Sequence, residues 1–112
     1  MSRLMQLKVT VTSHYQNDLA DAYPNLARHL GYLDQGLVRS NPSLYELAGR
    51  LDNLLYTFDS TPLREVLLRQ RPQLLELHKS IEKQIADWNL AQADKLLYRL
   101  EDIFDRIEEE LA

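Results

Sequence analysis

The chain has 112 residues, 45% hydrophobic and 27% charged, with three glycines, four prolines and no cysteine, a composition of folded rather than disordered proteins. The missing cysteine excludes a disulfide framework, a thiolate zinc site, an iron–sulfur cluster and a cysteine nucleophile together. A formal net charge of −4 argues against general phosphate binding, and no apolar run is long enough to span a bilayer or serve as a signal peptide, so a cytoplasmic protein is expected.

The first twenty residues admit two readings. Met5, Leu7, Val9 and Val11 alternate with polar residues as a half-buried strand would, while Leu4, Leu7, Val11 and Tyr15 fit a helix. With no second strand to pair with, the helix is the expected state; a strand would require pairing with another copy. Prolines then mark where helices should begin. Pro24, Pro42 and Pro62 suit the first helical position, and Asn41 and Thr61 before the last two are good N-cap residues. Behind each proline a helical period starts. Leu26, Leu30, Leu33 and Leu37 form one stripe, and Leu44, Leu47, Leu51, Leu54 and Phe58 form a second. Leu63, Val66 and Leu67 lead towards Leu74, Leu77, Ile81, Ile85 and Trp88 in a third. Pro72 lies inside that pattern and predicts a kink or a short break near Arg71.

The polar turn Asp87–Asn89 is brief, which folds the flanking helices back as an antiparallel hairpin from Pro72 to Ala112. Its second helix carries Leu90, Ala93, Leu97, Leu100, Phe104, Ile107 and Leu111 at unbroken 3-4 spacing. Glu108, Glu109 and Glu110 end it, where the helix dipole repels anions, so the last turn should fray unless something positive meets it. The chain as a whole, 1–112, reads as one all-α domain: an antiparallel bundle of four or five helices ending in a long helical hairpin.

Little of this points to chemistry. His14, His29 and His78 lack a Glu three positions before them, the spacing a carboxylate-bridged metal pair would need, so no metal and no cofactor is expected. No Gly-x-Ser-x-Gly elbow or phosphate-cradling glycine loop is present, and Glu101, Asp105 and Glu108 on one helical face read as a solvated edge. Leu26 to Gly31 followed by Asn41-Pro42-Ser43-Leu44 echoes a helix-turn-helix, but the span is too short for a recognition helix with its turns.

Two resemblances bear on function. The stretch from Arg71 to His78 resembles the Arg-x4-6-His signature of HEPN-type helical ribonucleases, with Pro72 where that family carries a polar residue. The resemblance implies RNA cleavage by Arg71 and His78 at a dimer groove. His78-Lys79-Ser80-Ile81 with Ile85, Ala93 and Leu97 is similar to the last hairpin of FCD effector domains from GntR-type regulators, and Asn41 to Leu44 with Leu47 and Leu51 to an earlier helix. That likeness implies a metal- or small-carboxylate-binding regulatory domain with His78 as a ligand, although Leu100 stands where a second histidine is expected.

The stripes carry the main expectation. Leu54-Leu55, Leu67-Leu68, Leu74-Leu75 and Leu96-Leu97 widen them beyond one face, and a helix apolar over more than one face needs a second layer. The chain is therefore expected to act without catalysis, as an adaptor, regulator or chaperone-like protein that binds another protein, its own second copy included, with neither membrane nor nucleic acid as partner. Leu74, Trp88, Leu97, Tyr98, Phe104 and Ile107 are the expected interface residues, with Tyr32, Tyr45 and Tyr56 as further contacts.

Overall fold

The computed structural model describes residues 18–112, and the strand-or-helix question at residues 4–12 lies outside the described residues. Seven helices follow one another among the described residues: α1 (Leu19–Ala22), α2 (Pro24–Gly31), α3 (Gln35–Arg39), α4 (Leu44–Gly49), α5 (Leu51–Thr57), α6 (Pro62–Ala86) and α7 (Leu90–Glu110). No strand occurs among the described residues, so the all-α class and the terminal hairpin hold. The helix count does not, because two of the expected stripes are each divided.

The first stripe breaks at Leu33, which is 59% exposed. Asp34 ends the continuity: its carboxylate accepts the Leu37 N–H at 3.0 Å and caps a new helix, α3. The second stripe divides at Arg50, yet Leu44, Leu47, Leu51, Leu54 and Phe58 are all buried, because the short α4 and α5 keep the apolar phase across the joint. Asn41 is not the cap expected of it. It adopts φ 52°, the left-handed region that Asn tolerates, and its Oδ1 accepts the Leu19 N–H at 2.8 Å. Ser43 caps α4 instead, accepting the Glu46 N–H at 3.1 Å, and Pro42 precedes the helix rather than starting it.

Thr61 and Pro62 behave as expected at the head of α6: Thr61 Oγ1 accepts the Arg64 N–H at 3.2 Å and Pro62 takes the first turn. Pro72 does not divide α6, which runs as one 25-residue helix through it. The position is exposed, so the missing N–H and the displaced carbonyl face water rather than the core. The hairpin therefore begins at Pro62, ten residues earlier than the sequence suggested.

The core is one cluster. Leu63, Val66, Leu67, Leu74 and Ile81 of α6 meet Leu96, Leu100, Ile103, Phe104 and Ile107 of α7 and its C-cap Leu111, and α1 to α5 close over them with Leu19, Leu26, Leu30, Leu37, Leu47, Leu51 and Leu54. Each such leucine contributes about 2 kcal/mol by leaving water. The cover stops short of the hairpin's far end: beyond Ile81 on α6 and before Ala93 on α7, none of residues 82–92 is buried. No helix among the described residues is long and apolar enough to cross a membrane.

Candidate functional site

The turn between the two long helices sets the geometry of that far end. Asp87 closes α6, the Trp88 N–H donates to the Ile85 carbonyl at 3.0 Å, and the Asn89 N–H reaches the Gln84 carbonyl at 2.8 Å. This pair of bonds is the Schellman arrangement, which places the residue after the C-cap in the left-handed region. Glycine is the usual occupant, because it has no Cβ to clash there. Here the occupant is Trp88, with φ 58°. Its indole is 50% exposed, and Leu90 beside it in sequence is 47% exposed. Ile85 and Leu97 are half-buried against the edge of the core.

The six residues expected at an interface are thus divided. Leu74, Phe104 and Ile107 lie wholly within the core, at 0%, 2% and 0% exposure, and have no surface left for a partner. Leu97 is half-buried, and Trp88 and Tyr98 stand exposed. Spacing alone puts all six on a hairpin but cannot say which flank the short helices cover. The doubled leucines resolve in the same way: Leu55 and Leu96 go into the core, Leu75 and Leu97 sit at its edge, and Leu68 is exposed. Of the further tyrosines, Tyr32 is exposed with its ring edge-on to His29, and Tyr56 projects into solvent at 87% exposure.

Arg71 and His78 do not converge. They stand seven residues apart on α6, about 10 Å along its axis. The Arg71 guanidinium Nε donates to Asp52 Oδ1 of α5 at 3.2 Å, while the His78 ring stacks on Tyr45 of α4 at 4.5 Å between centroids and 18° between planes. Gly49 admits that ring. A Cβ on it would lie 2.8 Å from His78 Nε2, closer than side-chain atoms pack. Burial, and after it the nearby Glu82, pushes the Tyr45 hydroxyl above the ordinary tyrosine range, so it is a neutral phenol at physiological pH. The arrangement joins α4 and α5 to the hairpin. Among the described residues, no three His, Asp or Glu side chains gather as a metal-ligand set.

The carboxylates of α7 are put to structural use. Tyr23 Oη donates to Asp105 Oδ1 at 3.0 Å, and both oxygens of Glu108 accept backbone N–H groups of α2. Glu110 pairs with Arg69 at 3.2 Å. The acidic end of α7 is thus met by a helix N-terminus and an arginine, and it stays helical to Glu110. Glu101 differs. Partial burial, and behind it Asp105, Asp102 and Asp94, raises its carboxyl above the usual range.

Compared with known proteins, the chain matches no family model, no curated protein and no solved structure.

Proposed function

We propose that this chain is a non-catalytic helical interaction protein that docks a partner protein, first of all a second copy of itself, at the far end of the α6–α7 hairpin. The observation that carries the reading is Trp88. A non-glycine residue in the left-handed region costs roughly 1–2 kcal/mol, and a bulky aromatic is a poor choice for a position that glycine fills without strain. Strain of this kind is characteristic of functional sites, where the surrounding structure holds a side chain in a useful place. The side chain so held is half-exposed tryptophan, the residue most enriched among the energetic anchors of protein interfaces.

The uncovered stretch around it supports the same reading. Ile85 and Leu97 are packed half-buried against the core and Leu90 is exposed, so a partner that docks here extends an existing core rather than creating a new one. Charges near the tip are mixed, with Glu82, Lys83, Asp87, Asp94 and Lys95, which suits an association driven by apolar contact and insensitive to salt. A cytoplasmic setting belongs to this reading.

The test is a substitution that separates fold from function. Trp88→Gly relieves the backbone and removes the anchor, so the variant should fold more stably and fail to associate. A variant that associates as the parent does would remove the tip from the account.

A further inference from the structure

We draw no further inference here: the strongest candidate, the acidic strip of Asp94, Glu101, Asp102 and Asp105 around the exposed Tyr98 on the outer face of α7, is a carboxylate cluster with Asp105 already bonded to Tyr23, and nothing in the structure shows what covers it.

Discussion

Glu108 caps a helix distant in sequence: its Oε1 accepts the N–H of Leu26, 82 residues earlier in α2, at 2.9 Å. Its Oε2 takes the Asn25 N–H at 2.8 Å, so one carboxylate satisfies two of the unpaired donors at the head of α2. The residue in the N-cap position, Tyr23, has no side-chain oxygen near enough to its own backbone to do this, and makes no such cap bond. The last helix thereby supplies what the second helix lacks, and the two ends of the described chain are tied together.

Removing that carboxylate should be costly for a half-buried surface residue. Glu108→Ala leaves both donors unpaired and is expected to lower stability by about 2 kcal/mol, and Glu108→Gln, which keeps one acceptor, by about half as much. Glu109→Ala, one residue further along and exposed, should change it by less than about 0.5 kcal/mol. Urea denaturation of the three variants checks the order; equal effects at 108 and 109 would refute the clasp.

The left-handed backbone at Trp88 makes the opposite prediction. Trp88→Gly should raise stability by about 1 kcal/mol, the relief of strain outweighing the loss of a half-exposed indole. Thermal unfolding measures it. A fall in melting temperature would mean that the indole contributes more to the fold than its backbone conformation costs.

At Gly49 the sign should depend on the neighbour. In a helix, Gly→Ala ordinarily gains roughly 0.5–1 kcal/mol, but here the new Cβ meets His78 Nε2. Gly49→Ala alone should therefore be neutral or destabilising, and in a His78→Ala background it should stabilise. A double-mutant cycle reads the coupling, expected at about 1 kcal/mol or more. Additive effects would place the ring elsewhere.

Glu101 predicts a pH dependence. Its carboxyl is held above the usual range in the folded state, so it binds its proton more tightly folded than unfolded, and stability falls as pH rises through the acid range. Glu101→Gln should therefore stabilise the protein at neutral pH, and the advantage should vanish below pH ~4, where the parent residue is protonated in both states. Denaturation midpoints at the two pH values decide it; an advantage that persists in acid would assign the effect to something other than charge.

The parts of this fold that rest on long periodicity are the legible ones. Leu97, Leu100, Phe104 and Ile107 announce α7, and Asp87–Asn89 announces the reversal before it, because a helical stripe and a short polar turn act locally. The division of Leu26 to Leu37 into α2 and α3 was hidden, since Asp34 is an effective cap only once Leu33 has turned away from the core. The break allowed for at Pro72 does not occur, because the position lies on the exposed side of α6, and the sequence does not say which side of a helix a proline faces. The clasp of Glu108 on α2 could not be read at all: it joins residues distant in sequence, and the acidic tail signals only a helix end in need of positive charge. Trp88 was legible as a candidate from its type and place. Its left-handed backbone was not, because nothing in Asp-Trp-Asn marks the position as one where glycine would sit more easily.

If the hairpin tip anchors a second copy, the solution mass of the untagged protein, followed by light scattering across a concentration series, will show it. The mass should rise from monomer to dimer, be insensitive to salt, and stay that of a monomer in Trp88→Gly. A parent chain that remains a monomer at every concentration would contradict self-association through the tip.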